Sequence, residues 1–225
     1  MILIVGDSHA DYNYIKKMYT LAIKNRCEAI IIAGDFGYWP DDNQGKQFLW
    51  HLNQLFKDKE MKLYFVDGNH EDFHHIKKLP QYKVSEVPEA KNVFYIPRGI
   101  IAEIDDRKIM GFGGAVSIDK KYRIVDKSWF KEEQITNEHI KNMDKGDIDI
   151  LITHDAPMMP NKERFKNDIE SHIHREKIQQ ICMIKEPKML VHGHYHTYYE
   201  YLYRTTNCIA LADNTNHTEK QFYLF

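Results

Sequence analysis

The chain has 225 residues, 43% of them hydrophobic, with 31 Lys and Arg against 33 Asp and Glu and a formal charge of -2. That composition supports one substantial core and excludes fibrous and disordered classes. The near-neutral balance gives no global attraction for nucleic acid or an anionic membrane, so any phosphate must be bound locally.

Ile2 to Val5 form a first apolar run, closed by Gly6, Asp7, Ser8 and His9. The acid and the histidine interrupt it too soon for a secretory segment, and no apolar run in the chain approaches the length of a membrane span. Cys27, Cys182 and Cys208 are odd in number and far apart, which suits neither a disulfide framework nor a thiolate zinc site. A cytoplasmic protein is expected, in the host cytoplasm if the chain is phage-encoded.

Ile15, Met18, Tyr19, Ala22 and Ile23 recur at helical spacing, and the strand-turn-helix unit then repeats with Ala29 to Ala33, Gly34 and Asp35, and Phe48 to Phe56. Met61 to Val66 reads as a third strand, ending in Asp67, Gly68, Asn69, His70, Glu71 and Asp72. This alternation predicts parallel strands with ligands gathering at their carboxyl ends. Val93 to Ile96, Ile100 to Ile104 and Lys108 to Phe112 suggest an antiparallel meander. Residues 113 to 130 read as a loop, and Lys131 to Met143 as an exposed helix. Ile148 to Thr153 is a strand ending at His154, Ile169 to Ile184 a helix, and Met189 to Val191 a strand leading into His192, Gly193, His194, Tyr195 and His196. Tyr198 to Tyr203, Cys208 to Leu211 and Phe222 to Phe225 complete the strands. No linker or repeat interrupts this order, so one domain over residues 1 to 225 is expected.

Five strand ends are polar: Asp7 to His9, Gly34 to Asp35, Asn69 to His70, His154, and His194 to His196. Carboxylate, imidazole and amide oxygen without thiolate suits Mn²⁺, Fe or Zn²⁺ in a hydrolytic site. In Asp7/His9 and His194/His196 the paired residues are two apart, which on a strand sets them on one face.

The order D-x-H, GD, GNH with a following acid, a lone His and GHxH, spread over residues 7 to 196, resembles the calcineurin-like metallophosphoesterases, and the GFGGA stretch at Gly111 to Ala115 their small bacterial and phage members. The resemblance implies an α/β fold, a four-layer αββα sandwich of two mixed sheets flanked by helices. It implies one divalent cation on Asp7, His9, Asp35 and His196, and a second on Asp35, Asn69, His154 and His194. Mn²⁺ is the first choice, with Fe, Zn²⁺ or Ni²⁺ as alternatives. In-line attack by a hydroxide bridging the pair would hydrolyse a phosphoester, with His70 donating a hydrogen bond to phosphate or a proton to the leaving group. Asp67 and Glu71 are expected outside the ligand set.

One departure bears on the substrate. Family members that act on phosphoproteins extend GD to GDxxDRG, whereas here Tyr38 and Trp39 follow Asp35, Phe36 and Gly37. The missing Arg argues for phosphodiesters, nucleotides or nucleic acids among them, and Arg123 in the loop is the candidate replacement phosphate contact. A phosphomonoesterase, acting on nucleotides or on phosphoproteins, is the alternative. A scaffold that keeps the fold without catalysis is a further reading, which the full ligand set disfavours. His74 and His75 read as a helix start and His172 and His174 as a solvated helix face, while Tyr38 and Trp39 read equally as core or as a wall of the site. Oligomeric state is left open.

Overall fold

The computed structural model describes residues 1 to 158 and 168 to 225. Twelve strands form two six-stranded sheets among the described residues. The first sheet is built from β1 (Ile2–Val5), β2 (Ala29–Ile32), β3 (Lys62–Phe65), β4 (Ser85–Glu86), β5 (Val93–Tyr95) and β12 (Phe222–Leu224), in the order β12-β1-β2-β3-β5-β4. The second holds β6 (Ile101–Ile104), β7 (Arg107–Phe112), β8 (Ile150–Thr153), β9 (Met189–His192), β10 (Tyr199–Tyr203) and β11 (Thr206–Ala210), in the order β10-β11-β9-β8-β7-β6. In each sheet four central strands run parallel and both edge strands run antiparallel.

The layers follow from side-chain alternation. Ile2 and Ile4 of β1, Ala29 and Ile31 of β2, and Tyr64 of β3 face the gap between the sheets, where they meet Ile109, Ile150, Ile152, Val191 and Ile209. Leu3, Ile30 and Leu63 point the other way, onto α1 (Tyr12–Lys24) and α2 (Asn43–Phe56). Met110, Leu151 and Leu190 meet α4 (Asn137–Asn142) and α5 (Ile169–Lys185) on the outer face of the second sheet. Strands covered on both faces must be apolar throughout, which is why these runs show no polar alternation. The result is the expected four-layer αββα sandwich. Asp11 caps α1, accepting from the N–H groups of Asn13 and Tyr14, and Asp42 caps α2 in the same way.

Three expectations need correction. β5 does not join the meander; it pairs parallel with β3 in the first sheet, leaving only β6 and β7 as a hairpin. Pro97 to Gly99 is therefore a crossing between sheets, and strand propensity carries no information about which sheet a strand joins. The helix expected over Lys131 to Met143 is only Asn137–Asn142, preceded by a short 3-10 turn at Lys131–Glu133. Glu133 is fully buried and bonded to Ser117, and Thr136 starts the helix by a reciprocal cap with His139. His174 is not on a solvated face; it is 1% exposed, for a reason given below.

Candidate metal centre

All the sequence-nominated ligands converge where the carboxyl ends of the two sheets meet. Each reaches the site just after its strand, not on it. β1 ends at Val5 and β9 at His192, whereas His9, His194 and His196 have φ of 45°, 68° and 52°. The same-face argument for residues two apart therefore fails, because left-handed turns, not the strand pleat, aim these rings. Asp35 shares that conformation, with φ 45°.

Asp7 and Asp35 are buried, and around them two groups of donor atoms lie within 4.8 Å of one another: Asp7, His9 and His196, and Asp7, Asp35 and His154. His196 Nε2 is 3.1 Å from Asp7 Oδ2 and 3.4 Å from His9 Nε2. Asp7 belongs to both groups, and Asp35 Oδ2 reaches toward both, 3.3 Å from His154 Nε2 and 4.0 Å from His9 Nε2. The other Asp35 oxygen accepts from the backbone N–H groups of Asn69 and His70 at 2.8 and 2.9 Å, which fixes the carboxylate. Asn69 Oδ1 is 3.1 Å from His154 Nε2, and the His194 ring is 4.9 Å from the His154 ring.

Backbone packing sets these positions closely. A Cβ on Gly68 would collide with Asp35 Oδ1, and one on Gly193 with Asp7 Oδ1. Only glycine lets the two loops approach the carboxylates this far.

The electrostatics suit cations. Burial raises the pKa of Asp35, but the charge of His154 and its hydrogen bond outweigh burial and hold the group well below the usual carboxylate range. Burial alone would lower His154, yet Asp35 and Asp7 lift it to about 10. His194, facing no carboxylate so closely, is pushed down to about 4 by burial and by the charge of His154. Two buried carboxylates side by side need positive charge between them. With an amide oxygen and four imidazoles at hand, this donor set fits hard-to-borderline divalent cations.

Behind the ligands lies a layer that sequence reading missed. Asn69 Nδ2 donates to Ser117 Oγ at 3.0 Å, and that hydroxyl donates to Glu133 Oε2 at 2.7 Å, so the Asn69 amide oxygen is turned toward the site. Asp155 accepts from Tyr195 OH and is 3.0 Å from His174 Nδ1, tying the loop after β8 to α5 and to the loop carrying His194 and His196. This is what buries His174, while His172, two residues away, pairs with Glu176 at the surface. His196 Nδ1 is 3.3 Å from Asp213, just beyond β11. Asp213 marks a sixth polar strand end, in Leu211, Ala212, Asp213 and Asn214, and was legible by the signal that found the other five.

The two acids beside His70 hold backbone. Glu71 accepts from the N–H groups of Phe36, Gly37 and Tyr38 at 2.7 to 3.0 Å. Burial and then Asp35 push its pKa up to about 8 against those donors. Asp67 accepts from Tyr95 OH and Arg98 Nε at 2.9 and 3.0 Å.

His70 is exposed, with its ring centre 5.4 Å from that of His9 in an edge-to-face arrangement. Arg123 reaches in from the loop: Nη2 is 2.9 Å from His70 Nε2 and Nη1 3.3 Å from the Asn69 carbonyl. A guanidinium only donates, so that His70 nitrogen accepts and the neutral ring carries its proton on Nδ1. Tyr38 is core, with its hydroxyl on Glu89, whereas the half-buried Trp39 borders the site and donates from Nε1 to the His70 carbonyl at 2.7 Å. His75 pairs with Asp72 at the start of α3 (Phe73–Ile76), away from the ligands.

Polar strand ends from two sheets, meeting over buried carboxylates and imidazoles, define a candidate centre for divalent cations. The chain belongs to the calcineurin-like phosphoesterases, whose family model matches residues 1 to 198. Its sequence is 23% identical to the lariat debranching enzyme of Schizosaccharomyces pombe, an alignment covering 86% of this chain and 48% of that protein; the chain thus spans about half the length of this relative. Among solved structures it resembles the protein TT1561 of Thermus thermophilus at TM-score 0.53 and 13% identity, covering 94% of this chain and 89% of that one. A putative 5′-nucleotidase from Staphylococcus aureus gives TM-score 0.51 at 11% identity, over 94% of this chain and 48% of that one. No helix among the described residues is long and apolar enough to cross a membrane.

Proposed function

We propose that this phosphoesterase is a dinuclear enzyme acting on phosphodiesters. The carrying observation is the position of Asp35 Oδ2 between the His9 and His154 sides of the site, the place of a carboxylate shared by two cations. One cation would be held by Asp7, His9, Asp35 and His196, the other by Asp35, Asn69, His154 and His194, with Mn²⁺ the first candidate. Bound cations would supply Lewis acidity, offsetting charge on the phosphoryl oxygens and lowering the pKa of water.

The chain's own groups do the rest. Arg123 is within reach of a phosphate lying against His70 and can leave the imidazole for it, since a phosphate oxygen is a better acceptor for a guanidinium. His70 is then free to hydrogen-bond the phosphoryl group or to hand a proton to the departing alkoxide. Partial burial lowers its pKa, Asp35 opposes this and Arg123 reinforces it. Among the described residues one arginine, Arg123, reaches the site, which supports a diester, since it carries one charge fewer than a monoester. The fission-yeast relative's name, a lariat debranching enzyme, suggests RNA as the class to try first.

The test is turnover of bis-p-nitrophenyl phosphate against p-nitrophenyl phosphate by Mn²⁺-loaded protein, with bound metal counted by plasma mass spectrometry. Two ions per chain and preference for the diester are expected. Rapid turnover of the monoester alone, or one ion per chain, contradicts the reading.

A further inference from the structure

A cleft of about 440 Å³ opens beside the candidate metal centre, lined by His9 and His70 and by the apolar side chains of Trp39 and Ile124. Its size lies within the ~300–1,000 Å³ of small-ligand sites, and of its lining only His9 and His70 enter the chemistry above. Trp39 and Ile124 are both held before any ligand arrives. The Trp39 indole is pinned by its bond to the His70 carbonyl, and the Phe130 ring lies 6.2 Å from it. Ile124 sits in a closed turn: its carbonyl accepts from the N–H groups of Ser128 and Trp129, and its own N–H donates to Ser128 Oγ at 2.9 Å. His74 Nε2, 3.0 Å from the Asp126 carbonyl, ties that turn to α3.

Ile124 is nonetheless 61% exposed, an apolar side chain left open in the cleft that Trp39 also lines. The rim is polar, with Gln44, Lys127 and Ser128. Asp42 lines the cleft as well, so the rim sets one carboxylate beside the Lys127 ammonium and offers hydrogen-bonding groups of both kinds. Apolar faces, hydrogen-bonding edges and a nearby phosphate-binding arginine match one ligand shape, a flat heteroaromatic ring attached to a phosphate. A phosphoserine or phosphothreonine peptide offers nothing flat to fill the slot.

We propose that the cleft seats the nucleobase next to the scissile phosphate of a nucleotide diester, stacked on Trp39 and packed against Ile124. This rests on the phosphodiesterase reading above and names its substrate class. It is tested with a dinucleotide and its two abasic counterparts, each lacking one base, cleaved by Mn²⁺-loaded protein. Loss of one of the two bases should lower kcat/KM by roughly 10-fold or more, the scale of one base-aromatic stack. In Ile124→Ser, which keeps the Trp39 face and its bond to His70 but removes the apolar side chain beside it, that penalty should fall to roughly a third of its wild-type size. Equal rates with and without bases would overturn the proposal.

Binding is read apart from turnover by titrating thymidine 5′-monophosphate and following tryptophan fluorescence. Quenching is expected in the wild-type chain and not in Trp39→Phe. No quenching in the wild type, or the same quenching in the variant, overturns the cleft assignment. Failure to cut any dinucleotide while quenching persists counts against the phosphodiesterase reading and leaves the cleft standing.

Discussion

The two sheets bring unlike things to one centre. The first supplies Asp7, Asp35 and Asn69, short side chains with oxygen donors, and His9; the second supplies His154, His194 and His196, all imidazoles. Short side chains have little freedom beyond the backbone, so the first sheet holds Asp35 with main-chain N–H groups and a glycine at van der Waals limit. An imidazole can still turn about χ2, so the second sheet needs partners behind its rings. His154 Nδ1 is 3.0 Å from the Ala33 carbonyl, His196 has Asp213, and Tyr195 between the two loop histidines has Asp155. The lesson is that main-chain groups hold Asp35 and His154, whereas His196 and the Asn69 amide are turned by side chains behind them, Asp213 and the pair Ser117 and Glu133.

Four variants can break or sharpen that contrast. Asp35→Asn should cost the most, a loss of ~10³-fold or more in kcat with loss of bound metal, because it removes the charge offered to both cations. Gly68→Ala should come next, since its Cβ must displace Asp35; a loss of ~10²-fold in activity is expected, together with ~1–3 kcal/mol of stability read by urea denaturation. If this variant were fully active, main-chain placement of Asp35 would be refuted.

Asp155→Asn should cost ~10- to 100-fold in metal affinity by titration calorimetry, with kcat largely recovered at saturating metal. A kcat loss equal to that of Asp35→Asn would erase the distinction between ligand and support.

The smallest effect concerns His139, away from the centre. Its Nδ1 accepts from the Thr136 N–H at 3.1 Å, and its pKa is lowered to about 4 by burial and by the charge of Arg98. An unfolded histidine titrates near ~6.5, so the unfolded chain binds more protons between the two values. The stabilisation is complete above pH 6.5 and is lost as pH falls toward 4. Between pH 7 and pH 5, Tm should drop by roughly 2–4 °C more in the wild type than in His139→Gln.

The sequence made the ligands legible because each follows an apolar run that can only be a buried strand, and because donor types in that order are rare. It was silent on the layer behind them. Ser117 and Glu133 lie in a stretch without periodicity, and their bond depends on how that stretch is folded back. His174 sat in a polar helical segment whose buried side could not be told from spacing, since its partner Asp155 stands 19 residues earlier. β5 was misplaced because a three-residue strand carries no sign of its sheet. Trp39 and Tyr38 looked alike on paper, and only packing sends one to the cleft and the other to the core.

No half of the chain carries the whole centre: Asp7 to Asn69 lie on one sheet and His154 to His196 on the other. A cation held as proposed, by groups of both sheets, would stay bound only while the sheets are docked, so its binding free energy would also be docking free energy. Above its dissociation constant, each tenfold rise in free metal adds about 1.4 kcal/mol to the cohesion of the sandwich. A chelator should accordingly behave as a mild denaturant, quickening amide hydrogen exchange in the central strands β1, β2, β8 and β9 before it touches the helices.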